Sequence, residues 1–375
     1  MPKVTKLKKG ALDISAIRGI INKKAGREVA HSLQDNNPTE VTEWIPTGSR
    51  WLDSIICKGK LAGVPVGKIS EIAGLEATGK SFMAAQIAGN AQKMGIDVVY
   101  FDSESALDPS FLERAGCDLE RLMYVQAESV EFVLETIEEL LGTGNKWLFI
   151  WDSLALTPSI SDVEGDFNPQ SSMAVKPRIL SKGMAKLTIP IADANATLLV
   201  LNQLKTNMAA RTPAEAMTTP YFTPGGKAMS YAYSLRVWLT ARKAKASFIT
   251  DENGYRVGSE VKVKLEKSRF GTAGRTCNFK ILWGDEDIGV QDEESWFDAI
   301  QVSERLKQSG AWFTLVKNDG SEEKFQRKMW TEKLQKEDFR ESVLTIIDED
   351  VIMKFKNREG NAQDFYDTEE TPEES

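Results

Sequence analysis

The sequence predicts an α/β fold built on a mostly parallel central sheet covered by helices. Three observations carry that expectation. Short apolar strands alternate with helical segments from about Thr42 to Gly284. One strand runs into a glycine-rich loop that opens a helix, and acidic or polar residues close the other strands.

The elements follow in chain order. Leu12, Ile14, Ile17, Ile20 and Ile21 recur at helical spacing, with Arg18, Lys23 and Lys24 between or beyond them, so a short amphipathic helix is expected. The polar run Gln34–Glu40, with Asn36-Asn37-Pro38, reads as a linker. Such a tethered helix either folds on its own core or docks on a neighbouring subunit. Lys68–Ala73, Asp97–Asp102, Trp147–Asp152 and Ala196–Gln203 read as strands, and Lys80–Met94, Val130–Leu141 and Arg178–Asp193 as the helices between them. Strands ending at Ala73, Asp102, Asp152 and Gln203 would align their tips along one edge, where such sheets bind ligands. Val257–Glu266 and Thr276–Trp283 read as later, antiparallel strands. Beyond Ile288, Trp312–Val316 and Lys324–Gln326 are strand-like, and Ser303–Gln308 and Lys336–Ile347 helical. The expected organisation is an N-terminal helix and linker (1–41), the main α/β domain (42–287), a small α+β C-terminal domain (288–357) and an acidic tail (358–375).

Composition narrows the chemistry. Of 375 residues, 41% are apolar and 27% charged, as in ordinary globular proteins, and no apolar run approaches the ~18 residues of a bilayer span. Lys3, Lys6, Lys8 and Lys9 precede no signal-peptide core, so a cytoplasmic protein is expected. Cys57, Cys117 and Cys277 are scattered without a CxxC pair, which argues against a zinc site or a disulfide framework. The one histidine, His31, lies in a polar stretch, which argues against a Ser-His-Asp triad or a histidine-rich metal site. Chemistry here falls to carboxylates, lysines, backbone amides and a bound Mg²⁺. The net charge of −8 looks wrong for a nucleic-acid binder. However, Asp364, Asp367, Glu369, Glu370, Glu373 and Glu374 crowd the tail; without them the chain is close to neutral and compatible with a basic groove.

Gly74-Leu75-Glu76-Ala77-Thr78-Gly79-Lys80-Ser81 fits G-x-x-x-x-G-K-[ST] between a strand and a helix. In that setting backbone N–H groups cradle phosphate oxygens, Lys80 reaches the β/γ-phosphates and Ser81 offers a hydroxyl to Mg²⁺. ATP and Mg²⁺ are the expected ligands. Asp152, at the tip of Trp147–Trp151, stands where a carboxylate contacts the Mg²⁺ shell, through water. Asp102-Ser103-Glu104 closes another strand; Glu104 is placed to polarise the water that attacks the γ-phosphate. Gln203 ends a further strand and is placed to sense that phosphate. Two long loops, Pro158–Ser172 and Lys205–Pro224, leave the same edge, with Lys176, Arg178 and Lys182 near the first and Lys205 and Arg211 in the second. Mobile loops with scattered cations suit a single-stranded nucleic-acid backbone; ordinary surface insertions are the other reading.

Taken in order, Ile45-Pro46-Thr47-Gly48-Ser49, the phosphate loop, Phe101–Pro109, Asp152–Pro158, Leu201-Asn202-Gln203, Gly225-Gly226, Val257–Glu260 and Ile281–Gly284 resemble the RecA recombinase family. The resemblance covers roughly Ile45–Gly284 and implies a RecA-like ATPase core with a small N-terminal oligomerisation segment. It implies Glu104 as the catalytic glutamate and Gln203 as the switch reporting ATP to two DNA loops, Pro158–Met173 and Leu204–Pro224, with Gly225 and Gly226 at the end of the second. It further implies that Asp108 bonds adenine between Phe111 and Trp283, and that Lys267 and Arg269 reach a neighbouring subunit's γ-phosphate. Leu75, Ser81 and Arg269 depart from the bacterial pattern, and Glu266-Lys267-Ser268-Arg269 is similar to the phage-type UvsX branch.

The function so implied is ATP-dependent homologous pairing and strand exchange by helical filaments on single-stranded DNA, in recombination and repair. Its partners would be single- and double-stranded DNA, further copies of the chain, and single-strand-binding and mediator proteins. A ring-shaped DNA motor and an ATP-gated DNA-binding scaffold are the alternatives. The motor normally carries an N-terminal oligomerisation domain, against which the short segment before Thr42 argues; the scaffold would not need Lys80, Glu104 and Asp152 together.

Overall fold

The computed structural model describes residues 13–34, 37–165, 175–208, 212, 215, 217, 219–241, 247–284 and 288–354. The chain divides into two units, Met1–Thr42 and Glu43–Ser375. In the first, the helix Ile14–Ala25 buries none of its residues and ends on Gly26 in the left-handed conformation. Ile14, Ile17, Ile20 and Ile21 are all exposed along it. The expected acidic tail lies outside the described residues.

The second unit contains β1 (Trp44–Ile45), β2 (Val64–Pro65), β3 (Ile69–Gly74), β4 (Asp97–Asp102), β5 (Leu122–Gln126), β6 (Trp147–Asp152), β7 (Thr197–Gln203), β8 (Lys205–Thr206) and β9 (Tyr221–Phe222). These are followed by β10 (Leu235–Ala241), β11 (Phe248–Thr250), β12 (Arg256–Ser268), β13 (Thr276–Leu282), β14 (Gly289–Gln291), β15 (Leu306–Ser309), β16 (Trp312–Val316) and β17 (Glu322–Gln326). The main sheet has the order β14-β13-β12-β10-β3-β7-β6-β4-β5. From β10 to β5 every pairing is parallel; β12, β13 and β14 extend the sheet antiparallel.

Alternation sorts the buried strands between two apolar layers. Val98, Tyr100, Leu148, Ile150, Leu199 and Leu201 face one core, while Val99, Phe101, Phe149, Trp151, Leu198 and Val200 face the other. Helices on both faces cover these layers, Lys80–Lys93 on the first and Val130–Leu141 with Val175–Asp193 on the second. The pairing registers Gly74↔Gln203 and Asp102↔Asp152 put the strand tips on one edge, as the sequence predicts.

One expectation about the C-terminal region meets a different arrangement. Ser303–Gln308 is not helical: after a turn, Leu306–Ser309 is β15, paired with β16 through Leu306↔Leu315. A two-residue turn, Gly310-Ala311 with Gly310 at φ 58°, closes that hairpin, a geometry that glycine permits. The region carries its own three-stranded sheet, β15-β16-β17, as expected of a small C-terminal α+β domain, and packs on the main fold. β14 adds to the central sheet, and Phe297, Phe313, Phe325, Trp330 and Phe339 belong to the same apolar layer as Met83 and Ile72.

Candidate active site

The loop Gly74–Ser81 lines a cavity of about 820 Å³ together with Phe82, Glu104, Asp152, Ser153, Gln203, Leu204 and Trp283. Ala77 (φ 53°) and Gly79 (φ 80°) curl the loop. A Cβ on Gly79 would lie 2.6 Å from Ile281 Cδ1, so that position needs glycine for both space and backbone. The helix Lys80–Lys93 begins without a side-chain cap, leaving its first amides available to an anion. Lys80 Nζ donates to Leu75 O at 3.0 Å and Gly74 O at 3.3 Å. Burial pushes the Lys80 ammonium below its usual pKa, while Asp152, Glu104 and Glu76 pull it back up.

Ser81 Oγ and Tyr100 OH both donate to Asp152 Oδ2, at 2.9 and 2.7 Å. Burial nevertheless raises the Asp152 carboxyl above the ordinary aspartate range. A hydroxyl and a carboxylate oxygen held side by side are the hard-oxygen donor set that suits Mg²⁺ beside a bound nucleoside triphosphate. Asp102 has a different task. It accepts four backbone N–H groups, from Glu104, Ser105, Ala106 and Leu107, at 2.8–3.2 Å. Its carboxylate folds the hook that carries Glu104 to the cavity, where Ser153 Oγ donates to Glu104 Oε1 at 3.3 Å.

The residues expected around adenine are only partly together. Trp283 lines the cavity; Asp108 and Phe111 do not. Asp108 caps the helix Pro109–Arg114 by accepting from Ser110 N at 3.0 Å. Phe82 lies between the two predicted aromatics, with its centroid 4.2 Å from Phe111 and 6.1 Å from Trp283. Sequence reasoning missed Phe82, although its place directly after Ser81 put it beside the phosphate loop. Arg256 was missed as well. It stacks 5.1 Å from the Trp283 ring and reaches Ala77 O at 3.5 Å.

Lys267 and Arg269 are far from this cavity. Lys267 lies at the end of β12 and Arg269 just beyond it, beside the start of β10, where Arg236 pairs with Lys267 and with Glu71, whereas the phosphate loop begins opposite Leu239. The rise of a strand makes that separation about 10 Å along β10, on the opposite edge of the sheet. Lys267 Nζ donates to Ser230 O at 2.7 Å, and Arg269 Nη2 to Tyr231 O at 2.8 Å. Burial and the positive charges of Arg269 and Arg236 lower the Lys267 pKa.

Of the expected DNA-facing residues, Met173 and Arg211 lie outside the described residues. Arg178 and Lys205 are exposed. Gly225 (φ 105°) and Gly226 (φ 81°) form the turn into the helix Gly226–Ala232. Lys176 is engaged within its own chain. Its ammonium donates to Leu154 O, Ala155 O and Thr157 O at 2.7, 3.1 and 2.6 Å, and burial pulls its pKa down to about 8. It ties down the turn after Asp152.

A phosphate loop, a strand-tip aspartate and a hooked glutamate on one edge of a mostly parallel sheet define a P-loop nucleotide-binding protein. The family model described as the RecA N-terminal domain matches residues 12–288. Among curated relatives, the chain is 32% identical to "Protein RecA" of Bifidobacterium breve over 307 residues, covering 82% of this chain and 73% of that protein. It is 30% identical to "Protein RecA" of Colwellia psychrerythraea over 301 residues, 80% of this chain and 82% of that one. With "Protein RecA" of Saccharopolyspora erythraea the identity is 30% over 294 residues, 78% and 80% of the two chains. The chain belongs to the RecA family of recombinases, proteins of DNA recombination and repair that bind DNA and ATP.

Proposed function

We propose that the chain is an ATP-hydrolysing recombinase that assembles head to tail on single-stranded DNA and exchanges it with a homologous duplex strand. One observation carries this reading: the cations a phosphoryl-transfer site needs stand on the wrong edge of the sheet for their own chain. Among the described residues lining the cavity, Lys80 is the one cation, against Glu76, Glu104 and Asp152. Lys267 and Arg269 would complete the site of the next copy, so assembly and hydrolysis become one event. A head-to-tail contact of this kind is heterologous and grows a helix. The apolar stripe of the helix Ile14–Ala25 is suited to docking on a neighbouring copy.

Within the site, loop amides and Lys80 would hold the phosphates, and Ser81 with Asp152 would hold the metal. Mg²⁺, when bound with ATP, would supply charge neutralisation to the phosphates. Glu104 accepts a proton from the attacking water, and Gln203 reads the γ-phosphate. The exposed Arg178 and Lys205 contact the DNA backbone without regard to sequence. Among the described residues no helix is long and apolar enough to cross a membrane.

ATP turnover measured with and without single-stranded DNA, alongside electron microscopy of the products, tests the proposal. DNA-stimulated turnover with helical filaments is expected. Translocating rings would point to a motor, and DNA-independent binding without turnover to a scaffold.

A further inference from the structure

The second loop rises from the sheet on a two-stranded ribbon, β8 paired with β9 through Lys205↔Phe222 and Thr206↔Tyr221. Both legs of this ribbon stand on β3, the strand that delivers the phosphate loop. The first leg is tied directly: Leu204 N donates to Gly74 O at 3.0 Å. The second is tied through a buried polar cluster. Glu71 of β3 is fully buried and accepts Arg236 Nε at 2.6 Å and Asn202 Nδ2 at 3.1 Å. Asn202 Nδ2 also donates to Pro224 O at 3.0 Å, and Arg236 Nη2 to Thr223 Oγ1 at 2.9 Å. Asn202 Oδ1 in turn accepts the backbone N–H of Gln203 at 3.0 Å.

A buried ion pair is a costly way to hold a sheet together, since apolar residues of similar size often serve as well or better. Its usefulness lies in direction: the guanidinium fork and the amide each bond Glu71 on one side and the ribbon's second leg on the other. The tyrosine and tryptophan rings of Tyr233 and Trp238, each 5.7 Å from the Arg236 guanidinium, flank that fork. Asn202 sits one residue before the γ-phosphate sensor, so a shift of Gln203 and a shift of the leg share one hydrogen-bonded group.

We infer that Glu71, Arg236, Asn202 and Thr223 are positioning residues that transmit the state of the nucleotide site to the second leg of the DNA loop. The inference rests on the function proposed above. It assigns to this cluster the coupling between sites, distinct from binding at either one. Disconnecting the leg leaves both ligands bound and abolishes their cooperation.

The test compares the affinity of the full chain for a fluorescein-labelled oligothymidylate in the presence of ADP and of a non-hydrolysable ATP analogue. Wild type is expected to bind more tightly with the analogue. Thr223→Val, a near-isosteric change at the ribbon foot that removes the hydroxyl accepting from Arg236, should lose about fivefold or more of that gain. Glu71→Leu combined with Arg236→Met should keep or raise the melting temperature while losing the gain, a split that a purely structural pair would not produce. Arg236→Lys should behave like Thr223→Val, because one ammonium does not replace the fork. Full retention of the gain in Thr223→Val and Arg236→Lys would overturn the inference and leave the recombinase reading intact. Equal weakening in both nucleotide states would also overturn it. Absence of any gain in the wild type would remove the recombinase reading as well.

Discussion

Ser81 Oγ donates to Asp152 Oδ2 at 2.9 Å, joining the first turn of the helix after the phosphate loop to the tip of β6, two strands away. Neither residue is a general base; together they present two oxygens to one point in space. Ser81→Ala should therefore reduce DNA-stimulated ATP turnover by about 10–100-fold, the scale on which metal-positioning groups act. The Mg²⁺ concentration giving half-maximal turnover should rise in parallel. Circular dichroism should remain that of the wild type, because the serine is not part of the apolar core.

Lys176 and Lys205 should separate stability from DNA binding. Lys176→Met leaves the carbonyls of Leu154, Ala155 and Thr157 without their shared donor and should cost about 2–4 kcal/mol in urea unfolding. The slope of log affinity for single-stranded DNA against log salt should not change. The exposed Lys205, replaced by alanine, should leave stability alone and make that slope shallower by about 0.7, one phosphate contact on a single strand.

If Lys267 acts on the neighbouring copy, two inactive variants should rescue one another. Lys80→Ala should lose turnover because its own phosphate loop fails. Lys267→Ala should bind nucleotide normally but hydrolyse it slowly even on DNA. In a mixture, a Lys267→Ala subunit with an intact loop meets a Lys80→Ala subunit with an intact lysine, and turnover should return to a substantial fraction of wild type. Strictly additive, non-rescuing behaviour in the ATPase assay would exclude a shared site.

The pair of buried carboxyls Asp53 and Asp292 predicts a pH slope in stability. Burial raises Asp292 to about 6 and Asp53 well above its usual range, and the Asp292 charge raises Asp53 further. A carboxyl whose folded pKa lies above its unfolded value binds extra protons in the native state. Its stabilisation is complete below about pH 4 and is lost as pH rises through about 6. Asp292→Asn should therefore be more favourable at pH 7.5 than at pH 4.5, by on the order of 1 kcal/mol in unfolding free energy. A residual slope from Asp53 should persist.

β4, β6 and β7 were readable because they are apolar runs ending in Asp or Gln, and the helix Val130–Leu141 falls where its periodicity places it; the half-exposed β5 gave no such run. β10 was not read from its sequence, since Arg236 breaks an otherwise apolar strand; the partner that makes this arginine tolerable, Glu71, is 165 residues away. The same distance problem hid Lys176, whose charge suggested a DNA contact while its three carbonyl partners come from a turn about twenty residues earlier. Ser303–Gln308 looked helical because its polar residues have no strong period; a glycine turn and the opposing Leu315 decide for a hairpin. Ser81, Asp152 and Glu104 were legible because motif and strand end are local signals. Phe82 and Arg256 were not, because what they do depends on which rings they meet.

The four amides gathered by Asp102 also bear on how fast the proposed reaction can run. A glutamate at the end of a free loop would have to be ordered anew in every catalytic cycle, at an entropic cost added to the barrier. Here that ordering is completed when the chain folds, so Glu104 enters each cycle already restrained. In the proposed assembly, the arrival of the neighbouring copy would then set the pace of turnover.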